Sequence, residues 1–185
     1  LKRKILEGSS SLSIRKDPIR VQSKHTHELE DIRKVCIDLL DDETMTFLTK
    51  DEKKAAEKYI NDLSDDDTVL HLDFHTGNVL VDSQGNCKII DWMTAARGNR
   101  AVEVAMMEFL FSPEAEMFPE ATEVQRKFFL AVKNYVGKQF FREYQKVSPI
   151  SPVEVDRYRL LALILRRSWG IEFEKDYLTK TIRAM

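Results

Sequence analysis

The chain has 185 residues, of which 43% are hydrophobic and 32% charged, an ordinary composition for a globular protein. This length predicts a single domain over residues 1–185 with one hydrophobic core. The formal net charge is only −2, so we expect no nucleic acid partner. No apolar run is long enough to cross a membrane, and the two cysteines lie far apart. We therefore expect a cytoplasmic protein without a membrane partner.

The first part of the chain predicts helices that lead to a strand region. Residues 1–27 combine Ser, Pro and Gly without a helical period, and we expect irregular structure there. Apolar residues at helical spacing predict a helix over 28–40. Thr49 and Glu52 have the spacing of a capping box, which predicts a second helix over 50–63.

The middle of the chain predicts three short β-strands. Branched and alternating apolar residues occur at 68–70, 79–81 and 87–90. The second and third of these strands are separated by the polar, glycine-containing segment 82–86, which is typical of a hairpin turn. The sequence therefore predicts a small β-hairpin.

From residue 99 onward the patterns are those of a helical bundle. Asn99 is a suitable N-cap for a helix that ends at Phe111, and Thr122 with Gln125 predicts the start of the next helix. This next helix carries an apolar stripe, which we expect to lie in the hydrophobic core. The stripe consists of Val124, Phe128, Val132 and Tyr135.

A further helix is predicted near the carboxyl end. Ser151 is suited to cap its start, Pro152 to occupy its first position, and Gly170 to end it. Within it, residues 160–165 form an unbroken apolar run. Such a run predicts a helix that is surrounded by neighbours, as the central helix of a bundle is.

The most informative segment is 71–78, which reads H-L-D-F-H-T-G-N and is followed after the predicted hairpin by I-I-D-W at 89–92. Each unpaired polar group among buried strands would cost about 1 to 3 kcal/mol, so these side chains require partners. Phosphoryl transfer uses such a set, with one carboxylate at the nucleophile. Asp73 fits this role. Asn78 and Asp91 supply the hard oxygen ligands that Mg²⁺ prefers.

The pattern H-x-D-x-x-x-x-N, followed by strand, turn, strand and Asp, resembles protein-kinase-like folds. More narrowly, it is similar to the aminoglycoside phosphotransferase and choline kinase family, whose usual motifs are H-G-D-x-H-x-x-N-I-L and I-D-W. This resemblance implies an α+β, mainly helical fold: a kinase-like C-terminal lobe in which a small β-hairpin carries the catalytic loop. It also implies ATP-dependent transfer of the γ-phosphate to a hydroxyl of a small molecule, with ATP and Mg²⁺ as cofactors.

The resemblance assigns a role to each polar residue of the motif. Asp73 is the catalytic base, and Asn78 and Asp91 bind the magnesium ion and with it the nucleotide. His75 belongs to the catalytic set with Asp73 and, together with His71, shapes the loop.

By the same resemblance the chain is a single unit with three successive parts. Residues 28–70 form helices that lead to the catalytic loop. Residues 71–92 contain the catalytic loop and the metal-binding hairpin, and residues 99–185 form the helical bundle. Residues 5–8 resemble the end of the family's hinge.

The sequence departs from the family pattern in several places. Leu72 replaces a usual glycine, which we expect to be tolerated. Glu103 stands where the family has an aspartate that supports the loop, and we expect its extra methylene to alter that support. The chain contains no glycine-rich phosphate loop and no nucleotide-clamping lysine before the hinge-like segment. We therefore expect the chain as given to lack the N-terminal lobe and to bind ATP weakly by itself.

Other interpretations are open at this point. In the first, the polar network of Asp73, Asn78 and Asp91 is purely structural and only braces two strands. His71, Asp73 and His75 share one face of an extended segment and would bind a transition metal in a hydrolase. In a further alternative, the chain is a truncated or degenerate pseudokinase that acts as a binding module. Because a lobe without its partner exposes an apolar face, a homodimer is a further expectation.

Overall fold

The computed structural model describes residues 29–115 and 120–185, so the expectations for 1–27, including the hinge-like segment, lie outside it. The described residues are mainly helical with small antiparallel sheets, which confirms the predicted α+β class. The helices are α1 (Ile32–Leu39), α2 (Lys50–Asn61), α3 (Arg100–Phe111), α4 (Glu123–Val147), α5 (Pro152–Ser168) and α6 (Lys175–Ala184). The strands are β1 (Thr68–Leu70), β2 (Val79–Val81), β3 (Cys87–Ile89) and β4 (Ala96–Gly98). No helix in these two described segments is long and apolar enough to span a membrane.

Side-chain caps determine where the helices begin. The capping boxes at Thr49 and Thr122 both form, each with reciprocal bonds to the residue three positions later. Ser151 caps α5 with its side chain, and a proline follows at the first helical position. Helix α1 begins later than predicted because the Asp31 carboxylate accepts the Arg33 amide hydrogen and fixes the N-cap there.

Two small sheets flank the catalytic segment. Strands β2 and β3 form the predicted antiparallel hairpin, with Val79 opposite Ile89. Strand β1 pairs with β4, and the sequence analysis did not predict β4. Its three residues, A-R-G, have little strand propensity, and they are extended by pairing with β1 and by the bond from the Arg97 amide to the Glu30 carbonyl oxygen, at 2.9 Å. This pairing places Leu70 opposite Ala96 and so holds together the two ends of the chain segment that contains the active residues.

Helix α5 lies at the centre of the hydrophobic core. Its apolar run 160–165 is buried throughout, as predicted. The helix packs against α1, α3 and α6. This core forms a rigid base on which α3 supports the catalytic loop.

The apolar stripe of α4 does not lie in the core, and that prediction was wrong. Helix α4 packs against α3 with another face, where Gly137 and Tyr144 are buried. On the same face Lys133 donates hydrogen bonds to the carbonyl oxygens of Ser112 and Ala115. The stripe residues are exposed by 77% (Val124), 64% (Phe128), 43% (Val132) and 66% (Tyr135).

A buried ion pair joins α5 to the segment before α6. The Arg166 Nε atom lies 2.6 Å from Glu174 Oε2, and Nη2 lies 2.7 Å from Oε1. Glu174 is completely buried, and the guanidinium of Arg166 lies 4.7 Å from the ring centroid of Trp169. The pair is therefore bidentate and shielded from water.

We expect Glu174→Ala to lower the free energy of unfolding by about 3 to 5 kcal/mol, because it leaves a buried guanidinium without its counter-charge. Denaturant unfolding followed by circular dichroism measures the change. Glu143→Ala is the control, since Glu143 forms an exposed ion pair with Lys146 and its removal should leave the midpoint unchanged. Equal midpoints for Glu174→Ala and the wild-type chain would contradict a stabilising role for the buried pair.

Candidate active site

Helix α3 anchors the start of the catalytic loop. The Glu103 Oε2 atom accepts hydrogen bonds from the backbone amides of His71, at 2.6 Å, and Leu72, at 2.9 Å. Leu72 has a φ of 67°, the left-handed region that glycine adopts most readily, and its side chain is fully buried. The two amide bonds and this burial hold the loop in a conformation that leucine alone would disfavour.

The longer side chain of Glu103 thus supports the loop, but it leaves one oxygen without a partner. Among the described residues, no hydrogen-bond partner reaches the buried Oε1 atom. Burial raises the pKa of Glu103, and the nearby Asp73 carboxylate also raises it. The amide of Leu72 and the His71 side chain act in the opposite direction but do not cancel the effect of burial.

His71 connects the catalytic loop to the segment that carries Asp91. Its Nε2 atom lies 2.9 Å from the carbonyl oxygen of Ile90, and its Nδ1 atom lies 3.3 Å from the amide nitrogen of Asp73. A carbonyl can only accept and an amide can only donate, so the imidazole carries its hydrogen on Nε2 and a lone pair on Nδ1. Both ring nitrogens are therefore engaged, and neither is available to bind a transition metal as the hydrolase interpretation requires.

Asp73 and Asn78 lie at opposite ends of the loop and contact each other. The Asn78 Nδ2 atom donates to the Asp73 carbonyl oxygen at 2.9 Å and lies 3.4 Å from Asp73 Oδ2. Asn78 is buried, whereas the Asp73 side chain is 25% exposed. The loop therefore presents the Asp73 carboxylate to solvent from a fixed backbone.

His75 lies beside the Asp73 carboxylate. The His75 Nδ1 atom accepts the Gly77 amide hydrogen at 3.0 Å, so Nε2 is the nitrogen that carries a hydrogen in the neutral ring. This Nε2 atom lies 3.8 Å from Asp73 Oδ2. At this separation the two side chains are neighbours that no hydrogen bond joins.

Backbone pairing brings the segment of Asp91 beside Asn78. The amide of Ile90 donates to the Asn78 carbonyl oxygen at 2.9 Å, which extends the β2–β3 pairing by one step. Asp91 is the next residue, with a φ of 59° and an exposed side chain. The segments that carry the four predicted site residues, Asp73, His75, Asn78 and Asp91, therefore form one hydrogen-bonded unit.

Thr94 and Trp92 also belong to this unit, and sequence reasoning assigned no role to either. The Thr94 hydroxyl donates to the His71 carbonyl oxygen at 2.7 Å. Trp92 donates from Nε1 to the Ile89 carbonyl oxygen at 3.2 Å, and its ring lies 4.6 Å from the His71 ring. No periodicity or spacing marks Thr94, because its partner is a backbone atom 23 positions earlier in the sequence.

Asn78 and Asp91 are the residues that would hold a magnesium ion, because each has an oxygen atom without a partner in the loop. Asn78 uses its amide nitrogen within the loop, which leaves its Oδ1 atom for a cation, and Asp91 offers an exposed carboxylate. Mg²⁺ is usually held by one or two protein oxygens, with phosphate oxygens and water completing the octahedron. Across residues 29–115 and 120–185, no group of three or more His, Cys, Asp or Glu side chains is arranged to hold a metal without such a ligand.

We expect the ionisation of Glu103 to destabilise the fold. Because the folded-state pKa is raised above the ordinary value of 4.5, the free energy of unfolding should fall as pH rises from that value through the raised pKa. Glu103→Gln keeps an oxygen acceptor for the two amides but cannot ionise.

Denaturant unfolding from about pH 4 to about pH 8 in magnesium-free buffer tests this expectation. The stability of the wild-type chain relative to Glu103→Gln should decrease with rising pH. A difference that does not change with pH would show that Glu103 does not titrate in this way.

One comparison with known proteins gave a match. The sequence profile of the Phosphotransferase enzyme family matches residues 10–133, which include every residue of the site described above. Searches of curated proteins and of solved structures gave no significant match. The matched region covers more than half of the chain, and the chain is therefore a member of the phosphotransferase enzyme family.

Proposed function

We propose that the chain is the C-terminal lobe of a kinase-like phosphotransferase that transfers the γ-phosphate of ATP to a hydroxyl of a small molecule. The observation that supports this proposal is the hydrogen-bonded unit that joins the segments of Asp73, Asn78 and Asp91. Membership of the phosphotransferase family supports the reaction class. ATP, magnesium and the hydroxyl acceptor are parts of the proposal.

In this proposal Asp73 is the general base. Its carboxylate accepts the proton of the acceptor hydroxyl as the oxygen attacks the γ-phosphorus atom, while the bond from that phosphorus to the β,γ-bridging oxygen breaks and ADP leaves. The partial exposure of Asp73 leaves room for an acceptor. The bond from Asn78 to the Asp73 carbonyl fixes the backbone from which the carboxylate projects. Asp73 therefore needs little reorganisation when the acceptor binds.

Asn78 and Asp91 hold the magnesium ion in this proposal. The ion, when bound, neutralises charge on the nucleotide phosphates. The protein contributes the positions of the two ligands, which depend on the backbone bond between Ile90 and Asn78. The two segments are neighbours, so an amide oxygen and a carboxylate would be offered to one ion.

The purely structural interpretation explains these contacts less well. A bracing network would use the Asp73 and Asp91 carboxylates in bonds between segments, yet the bonds that join the segments come from His71, Thr94 and the backbone. Asp73 is partly exposed and Asp91 is exposed. Because other groups make the bonds between the segments, the accessible carboxylates of Asp73 and Asp91 are free to bind a ligand, which favours a ligand-binding role for them.

We expect Asp73→Asn and Asp91→Asn to have different effects. In any form of the protein that turns over, Asp73→Asn should lower kcat by about 10²-fold or more and leave Mg·ATP affinity nearly unchanged, because the base contacts the acceptor and not the nucleotide. Asp91→Asn should instead weaken magnesium-dependent nucleotide binding by about tenfold or more. Calorimetry with Mg·ATP and an ADP-release assay with aminoglycosides, choline and simple sugars measure the two effects.

Asp51→Asn is the matched control, because it makes the same chemical change at an exposed position in the first turn of α2. It should leave nucleotide binding and turnover unchanged. Equal losses of ATP affinity in Asp73→Asn and Asp91→Asn would show that the two roles are wrongly assigned. Absence of magnesium-dependent nucleotide binding in a form of the protein that includes an N-terminal lobe would favour the binding-module interpretation.

A further inference from the structure

One peptide unit of the catalytic loop is hydrogen-bonded at both of its ends. This unit, the 71–72 peptide, consists of the carbonyl group of His71 and the amide group of Leu72. The Thr94 hydroxyl donates to the carbonyl oxygen at 2.7 Å, and the amide donates to Glu103 Oε2 at 2.9 Å. Thr94 lies in the segment between β3 and β4, whereas Glu103 lies on α3. Two separate elements therefore fix the orientation of one peptide plane.

The orientation of the 71–72 peptide determines the backbone angle at Leu72. The φ angle of Leu72 is the rotation of this peptide relative to the Leu72 Cα atom, and its value of 67° lies in the left-handed region. Leucine disfavours that region because of its Cβ atom. A 71–72 peptide without partners would rotate until φ became negative. The two hydrogen bonds therefore oppose a rotation that Leu72 favours.

Glu103 alone holds only the donor side of this part of the loop. Its Oε2 atom accepts hydrogen bonds from the amides of both His71 and Leu72. The carbonyl oxygen of His71 needs a donor instead, and the Thr94 hydroxyl supplies one. His71 is buried, so loss of this donor would not be made good by bulk water.

The backbone of Asp73 depends on the same peptide. The Asp73 amide donates to His71 Nδ1 at 3.3 Å. This hydrogen bond closes a ring of atoms that contains the 71–72 peptide, since the ring runs from the His71 side chain along the backbone to Asp73. A rotation of the 71–72 peptide would therefore displace the Asp73 amide from Nδ1.

We propose that Thr94 is a positioning residue for Asp73. Its hydroxyl and the Glu103 carboxyl group form a clamp on the 71–72 peptide. The clamp keeps the strained Leu72 backbone in the conformation from which Asp73 projects, and Thr94 acts through this backbone rather than on the reacting atoms. The inference rests on the proposed function for the role of Asp73 as the base, whereas the clamp itself is a property of the fold.

Amide hydrogen exchange of the 185-residue chain, followed residue by residue by NMR, tests the clamp. Thr94→Val removes the hydroxyl and keeps the shape of the side chain, and it should lower the protection factors of the Leu72 and Asp73 amides by about tenfold or more. Thr94→Ser keeps the hydroxyl and should retain most of the protection. Thr181→Val is the matched control, because the Thr181 hydroxyl also donates to a carbonyl oxygen, at 2.8 Å, within α6. It should leave both protection factors unchanged.

Turnover tests the positioning role. In a form of the protein that turns over, Thr94→Val should lower kcat by about tenfold or more and leave the KM for ATP nearly unchanged, and Thr94→Ser should restore kcat. A side chain that only stabilised the fold would not produce this result, because the folded fraction of the variant would turn over normally.

Circular dichroism confirms that each variant is folded, and Thr94→Ala, which is smaller and also lacks the hydroxyl, replaces Thr94→Val if the valine variant does not fold. Unchanged protection of the Leu72 and Asp73 amides, or an equal loss in Thr94→Ser, would overturn the clamp. Lower protection with a normal kcat would overturn the positioning role. An Asp73→Asn variant with full turnover would instead overturn the proposed function, and the exchange measurement would still decide whether the clamp exists.

Discussion

The candidate site depends above all on the two hydrogen bonds of the His71 imidazole. One ring nitrogen donates to the carbonyl of Ile90, and the other accepts from the amide of Asp73. Since these partners have fixed polarity, a single tautomer satisfies both, and the ring acts as a rigid link between Asp73 and the segment of Asp91. Burial of His71 protects these bonds from competition with water. The Thr94 hydroxyl adds a further bond to His71 by donating to its carbonyl oxygen.

This link holds two residues in uncommon backbone conformations. Leu72 and Asp91 both have positive φ values and lie directly after His71 and Ile90, the two residues that the imidazole joins. A non-glycine residue in this region costs of order 1 kcal/mol or more, and it persists where the surroundings over-determine it. Glu103 provides part of that constraint at Leu72. The strained backbone positions are therefore Leu72, immediately before Asp73, and Asp91 itself.

The rest of the fold serves to keep this unit in place. Helix α5 is surrounded by α1, α3 and α6, so α3 rests on a closely packed base. The pairing of β1 with β4 joins the two ends of the catalytic segment. The loop also contacts α4 through Phe74, whose ring lies 5.9 Å from that of Phe140. One face of α4 therefore belongs to the body of the molecule, while its opposite face carries the exposed stripe.

The sequence by itself determined the local features of this protein. Thr49 and Thr122 begin helices because a cap forms between residues three positions apart, and the β2–β3 hairpin needs a turn of only five residues. The spacing of Asp73, Asn78 and Asp91 identified the candidate site for a similar reason, since the loop and hairpin that unite them are contiguous.

Tertiary structure decided the features that depend on distant partners. Strand β4 exists because β1 lies beside it, and Thr94 joins the site through a carbonyl 23 residues away. The stripe that begins at Val124 has the periodicity of a core helix, but periodicity shows only that apolar residues share a face. Which face of α4 became buried was decided by the packing of Gly137 against Phe111, a contact between two helices that no local pattern specifies.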